Sequence, residues 1–190
     1  MLHTAMTGYP GKEARSTWKG HLDFAGRQLP GDSKALRDEL DEITSSLTEL
    51  PATSENYGLV HSDFELDNLV WQGESAGVLD VDDCSRMWFA ADTAFALGDL
   101  FEDHPNLDDE RFLGFVEGYS ACRPLDHDSL SRLPLFVRFD NLLEYARLVR
   151  TVDLEIGPEH PEWLHALHQK LQQRMARYTA SIITSPRAAT

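Results

Sequence analysis

Cysteine is scarce: the 190 residues hold two, Cys84 and Cys122. Two thiols cannot build a disulfide framework, and neither stands in a CxxC or Cys/His spacing of the kind that holds zinc. Basic residues are also few, 17 Lys+Arg against 32 Asp+Glu, for a formal charge of −15. A protein that neutralises phosphates along a nucleic acid needs a basic face, so this balance excludes a nucleic-acid binder. No stretch approaches the ~18 consecutive apolar residues of a membrane span. The N-terminal MLHTAMTGYPGKEARS lacks the apolar centre of a signal peptide. A soluble, cytoplasmic chain with no membrane partner is therefore expected. Internal repeats and low-complexity tracts are absent as well. What is present suffices for a core: 42% of residues are hydrophobic and 9% aromatic. A chain of this length removes roughly 70% of its unfolded surface from water, which argues against intrinsic disorder.

Glycine and proline punctuate residues 1–30 at Gly8, Pro10, Gly11, Gly20, Gly26 and Pro30. That segment reads as irregular, with one short helix around Ser16–Gln28. With Asp32 or Ser33 as cap, Leu36, Leu40, Ile43, Leu47 and Leu50 then recur at helical spacing until Pro51 stops the run. The opposite face, Asp38, Glu39, Asp41 and Glu42, reads as solvated. Short apolar runs follow at Tyr57–His61, Asn68–Gln72 and Gly77–Val81, the last two flanking a turn at Gly73–Ala76 as a β-hairpin. Beyond Trp88 the pattern is helical over Ala91–Glu102, Asp109–Ser120, Ser129–Thr151 and Glu162–Ser181, with Pro105, Pro124 and Pro158 between. The expected class is α+β and mostly helical, a small hairpin set among packed helices. Trp71 and Trp88 read as core residues. His104, His160, His165 and His168 read as surface histidines, for want of a third metal ligand.

Polar residues concentrate where strands should be buried: HSDFELDN at His61–Asn68 and LDVDDCS at Leu79–Ser85. Buried carboxylates are costly unless paired, hydrogen-bonded or on a metal. Acidic residues ending two apolar strands therefore require a partner, and a divalent cation is the simplest. Hairpin pairing brings the Asn68 amide and the Asp80 carboxylate to one end of the sheet, with Asp63 as a third oxygen group nearby. Hard oxygen ligands suit Mg2+, which takes one or two carboxylates and completes its shell with water and substrate phosphates.

His61-x-Asp63-x4-Asn68, followed by Asp80 at the end of an apolar strand and by Asp92 opening an apolar helix, resembles a known pattern. It is that of the catalytic and metal-binding segments of the aminoglycoside phosphotransferase and choline kinase-like family of small-molecule kinases. Residue types, spacings and local hydrophobicity agree together, which makes the match specific. The resemblance implies a protein kinase-like fold in which Asp63 is the catalytic base. It would accept the proton of an acceptor hydroxyl as that hydroxyl attacks the γ-phosphoryl of ATP. Asn68 and Asp80 would hold Mg2+ against the ATP phosphates, and His61 would organise the loop through hydrogen bonds. Asp92 would cap its helix and hydrogen-bond the backbone of the catalytic loop. Asp82 and Asp83 either widen the metal site, meet a cationic substrate or stand in a solvated turn. Glu65 and Asp67 read as exposed. Such a site is chemically sufficient, because phosphoryl transfer asks for positioning and charge neutralisation rather than elaborate covalent chemistry.

The family phosphorylates hydroxyls of amino sugars, amino alcohols and amino acids, so the implied partner is a small-molecule acceptor. The acidic chain suits a cationic one, with Glu102, Asp103, Asp140 and Glu144 as candidate contacts. The resemblance runs from about Ser16 to Tyr178 and corresponds to the C-terminal lobe of such kinases. It implies an irregular segment over 1–30, a catalytic and acceptor-binding lobe over 31–182 and a tail over 183–190. Too few residues precede the first clear helix for the phosphate-covering N-terminal lobe. Lys12, within Gly8–Glu13, lacks the GxxxxGK[ST] spacing of a phosphate loop. The expectation is a chain that lacks that lobe, binds Mg-ATP weakly by itself and exposes an apolar surface where the lobe would pack. Two other classes stay open: a non-catalytic binding module, and a metal-dependent phosphohydrolase using His61, Asp63 and Asp80. The latter needs further ligands at the ends of later strands. Oligomeric state is not legible in these residues.

Overall fold

The computed structural model describes residues 2–7, 16–101 and 106–184. In chain order the elements are α1 (Leu2–Thr7), α2 (Trp18–Gln28), α3 (Lys34–Glu49), β1 (Tyr57–Val60), β2 (Leu69–Gln72), β3 (Ser75–Val78) and β4 (Ser85–Trp88). Then follow α4 (Phe89–Ala96), α5 (Gly98–Phe101), α6 (Glu110–Ser120), α7 (His127–Ser131), α8 (Leu133–Val152) and α9 (Glu162–Thr184). The class is α+β and mostly helical. Two compact units divide the chain: Met1–Gly20 with Leu50–Val137, and His21–Glu49 with Arg138–Thr190.

Among the described residues, the first unit holds all the strands. β1 and β4 pair antiparallel, Tyr57 opposite Trp88 and Val60 opposite Ser85. β2 and β3 form the expected hairpin, Leu69 opposite Val78 and Gln72 opposite Ser75. Its loop is tighter than the sequence suggested, because Gly73, at φ 62°, supplies the left-handed residue that opens a two-residue turn. Trp88 is the hub of the unit, its ring centroid 5.5 Å from Trp18, 5.2 Å from Tyr57 and 5.9 Å from Phe136. Its indole N–H donates to the Pro51 carbonyl at 3.0 Å, so a large buried ring leaves no unpaired donor. Trp71, expected in the core, is 66% exposed instead, since among the described residues β2 pairs only with β3.

Beside this hub the main chain of β1 approaches a ring. A Cβ on Gly58 would stand 2.9 Å from Cζ of Phe89, and Phe89 is itself buried beneath the Arg123 guanidinium, 4.1 Å from its ring centroid. The ring has little room to yield, so Gly58→Ala should destabilise the protein by about 1–3 kcal/mol through overpacking. Urea unfolding measures it, and an unchanged midpoint would mean that Phe89 swings aside freely.

In the second unit, Leu36, Ile43 and Leu47 of α3 are buried, and α3 packs against α9. The helical repeat read from the sequence is thus the buried stripe. Its opposite face is not uniformly solvated. Asp41 is exposed, but Glu39 is fully buried and receives two hydrogen bonds from Arg138, Nε to Oε1 and Nη2 to Oε2, each 2.7 Å. Arg138 Nη1 also donates to Glu42 at 3.1 Å. Asn141 donates to the Ser181 hydroxyl at 3.2 Å, tying α8 to α9.

Within residues 1–30, α1 and α2 are helical where the sequence indicated one short helix. The Ser129–Thr151 helix is two, broken at Arg132, the C-cap of α7. No helix of the described residues is long and apolar enough to cross a membrane.

Candidate active site

β1 runs out at Val60 into a loop whose geometry is fixed from several sides. Ser62 lies in the left-handed region, φ 68°, a conformation that costs a non-glycine residue of order 1 kcal/mol and persists only where its surroundings over-determine it. They do so here. The Ser62 N–H donates to Asp92 Oδ1 at 2.7 Å, and its hydroxyl meets that of Ser85 at 2.6 Å, all three residues being buried. His61, fully buried, donates Nε2–H to the Leu79 carbonyl at 2.9 Å. Only the Nε2–H form can do this, because a carbonyl is only an acceptor.

Leu79 is held a second time. Its N–H donates to the Asn68 carbonyl at 2.9 Å. Asn68 closes a 3-10 turn over Leu66–Asn68, and its amide nitrogen donates both to the Asp63 carbonyl at 2.8 Å and to Asp63 Oδ2 at 3.0 Å. Asp63 and Asn68 are therefore in contact, and Asp80 follows directly on the residue that His61 and Asn68 both hold. Asp80 is exposed and lies at φ 53°, two residues beyond β3 rather than on a strand. Asp82 and Asp83 are exposed in a turn closed by the Cys84 N–H on the Val81 carbonyl at 3.3 Å. Glu65 and Asp67 are exposed, as expected.

Asp92 does not cap its helix. Trp88 occupies the cap position, and Asp92 is buried one turn inside α4. Its second oxygen, Oδ2, lies 2.7 Å from His3 Nε2, and His3 Nδ1 lies 2.8 Å from the Tyr119 hydroxyl. Burial, the largest influence, pushes the Tyr119 hydroxyl up to about 12. Nothing in the sequence marks His3, since LHTAMT carries no cap and no apolar stripe and His3 stands 89 residues from Asp92. Leu2, His3, Phe64, Thr93, Phe115 and Tyr119 line a cavity of about 250 Å3 beside this chain of contacts.

Among the described residues no three His, Cys, Asp or Glu side chains gather as a metal cluster. The donor types that Asn68 and Asp80 carry, an amide oxygen and a carboxylate, are hard oxygens of the kind that suit a cation whose remaining shell is water and phosphate. That is the chemistry of Mg2+, and it differs from the closed nitrogen and sulfur set of structural zinc. Lys12, Glu102, Asp103 and His104 lie outside the described residues. Asp140 and Glu144 belong to the second unit, where Glu144 accepts from Arg147 at 2.6 Å.

Comparison with solved structures finds this fold among small-molecule kinases. A structure of an amicoumacin kinase in complex with AMP-PNP, Ca2+ and Ami matches 97% of this chain and 57% of that one, with a TM-score of 0.70 at 23% identity. The microcompartment-associated aminopropanol kinase matches 95% of this chain and 56% of its own, TM-score 0.65 at 22% identity. The chain belongs to the phosphotransferase enzyme family, whose sequence model matches residues 2–125. Among curated proteins it is 28% identical over 154 residues to the amicoumacin kinase of Bacillus subtilis (strain 168), covering 77% of this chain and 46% of that one. It is also 28% identical over 148 residues to the homoserine kinase of Rhizobium johnstonii (strain DSM 114642 / LMG 32736 / 3841), covering 76% and 44%. The chain thus spans about half the length of the curated relatives it matches.

Proposed function

We propose that this chain is the catalytic and acceptor-binding lobe of an ATP- and Mg2+-dependent phosphotransferase acting on a hydroxyl of a small molecule. The observation that carries the reading is the Asp63–Asn68 contact, held against the residue that leads into Asp80. In this reading Asp63 is the general base. The Asn68 amide nitrogen fixes the orientation of its carboxylate, which takes the acceptor proton as the hydroxyl attacks the γ-phosphoryl. Bound Mg2+ would neutralise phosphate charge, with the Asn68 amide oxygen and the Asp80 carboxylate as its side-chain ligands. His61 secures the loop through Leu79, and Asp92 secures it through Ser62. Asp82 and Asp83, on the adjoining turn, supply negative charge for a second cation or a cationic acceptor.

Support for the acceptor class comes from relatives named for homoserine and aminopropanol, each of which pairs a hydroxyl with an amine. The charge of −15 suits such an acceptor, and an ATP-dependent reaction suits a cytoplasmic chain. Leu66, Val70, Trp71, Leu79 and Val81 expose between 48% and 81% of their surface on and beside the β2–β3 hairpin. A two-stranded hairpin is marginal by itself, and an apolar patch of this kind marks a packing surface. This supports the reading that a nucleotide-covering lobe completes the site there.

Two measurements test the proposal. The chain, with Mg2+ and γ-labelled ATP, is offered homoserine, aminopropanol and amicoumacin, and calorimetry follows Mg-ATP binding. Label transfer that chelation abolishes is the expected result, together with ATP affinity weaker than micromolar. A micromolar affinity would remove the need for another lobe. Hydrolysis of a phosphate ester without nucleotide, and with no transfer from ATP, would replace the kinase reading by a phosphohydrolase.

A further inference from the structure

The Asp92 carboxylate is shared between two elements remote in sequence. Oδ1 takes the Ser62 N–H at 2.7 Å and Oδ2 meets His3 Nε2 at 2.7 Å. His3, Asp92 and Ser62 are 5%, 3% and 4% exposed. A carboxylate this deeply buried needs donors on both oxygens. Because it only accepts, the proton between His3 and Asp92 belongs to Nε2. On the far side of the ring the Tyr119 hydroxyl lies 2.8 Å from Nδ1, a second fixed partner for the imidazole. Both imidazole nitrogens then have a partner, with Nε2–H turned to the carboxylate.

We propose that His3 is a positioning residue for the catalytic loop: by donating Nε2–H to Oδ2 it fixes the Asp92 carboxylate in the orientation whose other oxygen holds the Ser62 N–H. Asp63 is the next residue, so the effect of His3 reaches the base through one peptide unit. The description of the loop as catalytic rests on the function proposed above, whereas the claim about its geometry does not. The left-handed backbone of Ser62 is what makes the anchor necessary. Once the carboxylate can rotate, Ser62 loses the partner that offsets its strain, and the Asp63 carboxylate loses its fixed approach to Asn68.

Deuterium exchange of peptides spanning residues 60–66 tests this directly in the wild-type chain and in His3→Ala, His3→Gln and Tyr119→Phe. Loss of a hydrogen bond to a charged group in His3→Ala should speed exchange at the Ser62 amide by about tenfold or more, while peptides from α9 exchange as before. In His3→Gln the side-chain amide can still donate to Oδ2, so most of the protection should return. Tyr119→Phe should fall between the two. In protein that turns over, kcat should drop in His3→Ala and recover in His3→Gln with the KM for ATP unmoved, which a general loss of packing would not produce. Unchanged exchange at 60–66 in folded His3→Ala overturns the proposal. If that variant does not fold, the 15N spectrum of the wild-type His3 ring decides: the Nε2–H tautomer supports the proposal and the Nδ1–H tautomer overturns it. Faster exchange in a chain that hydrolyses a phosphate ester without nucleotide, and transfers none from ATP, would leave the anchor standing and refute the kinase reading alone.

Discussion

Asp63→Asn should lower the rate of phosphoryl transfer by roughly 10²–10⁴-fold, the usual contribution of a positioned general base, without moving the unfolding midpoint. The substitution is isosteric, and the local geometry tolerates it. Asn68 donates to the main-chain carbonyl of Asp63 as well as to its carboxylate, so the loop keeps one of these bonds whatever the side chain becomes. A carboxamide oxygen still accepts from the Asn68 amide, leaving no buried donor stranded. What disappears is the basic lone pair that takes the acceptor proton. Metal binding gives the contrast. Asp80 is the proposed cation ligand and Asp63 is not, so Asp63→Asn should leave the Mg2+ dependence of turnover as it is, while Asp80→Asn should shift it to higher concentration. Steady-state kinetics over a Mg2+ series separates the two roles. Undiminished turnover in Asp63→Asn would remove this residue from the mechanism, and a shifted metal dependence in that variant would move it from base to ligand.

The parts of the site that were legible in the sequence are those whose logic is local. The hairpin declares itself by short apolar runs around Gly73, and α3 by a stripe that repeats every three or four residues. His61, Asp63 and Asn68 fall within eight residues, close enough for their spacing to carry meaning. Elsewhere the deciding partner is far along the chain. Glu39 looks like a solvated residue among Asp38, Asp41 and Glu42 because Arg138 is 99 positions away. Asp92 looks like a helix cap because an acidic residue near a helix start usually is one, whereas a backbone N–H of the loop and a histidine of α1 claim its two oxygens. Asp80 looks like the last residue of a strand, yet the ladder of β3 stops at Val78 and the chain turns with Leu79, whose carbonyl is committed to His61. Trp71 looks like core because tryptophan usually is, and only the pairing of β2 with β3 alone leaves it in the open. β4 is not legible in the sequence because Ser85–Trp88 shows no alternation, and its register against β1 is what makes it a strand.

Arg138→Met should cost the protein about 3–5 kcal/mol, the penalty for breaking a buried ion pair from one side. Glu39 is the reason. Its carboxylate is fully buried and both oxygens are occupied by the Arg138 guanidinium in a two-pronged arrangement. Glu42 is a further acceptor at 3.1 Å and remains 25% exposed, so it can turn to water when the arginine goes. Glu39 cannot, and it must either stay charged without a partner or take up a proton, each at a cost. The arginine itself is held firmly. Hydrogen bonding to Glu39 raises its pKa above the ordinary value, outweighing the opposing effect of burial. A cation whose pKa is raised on folding stabilises fully below its unfolded value and loses that effect only as pH climbs through the folded one. Alkaline titration within the working range therefore cannot expose the pair, and mutation must. A second variant separates the pair's own value from the cost of orphaning one member. Glu39→Leu combined with Arg138→Met removes both charges and fills much of the same volume, and it should unfold close to the wild-type midpoint or above it. Urea unfolding of the wild type, the single and the double variant closes the comparison. A single variant as stable as the wild type would mean that Glu39 finds another donor or reaches solvent, and a double variant as weak as the single one would mean that packing around the guanidinium stem, rather than its charge, holds α8 to α3.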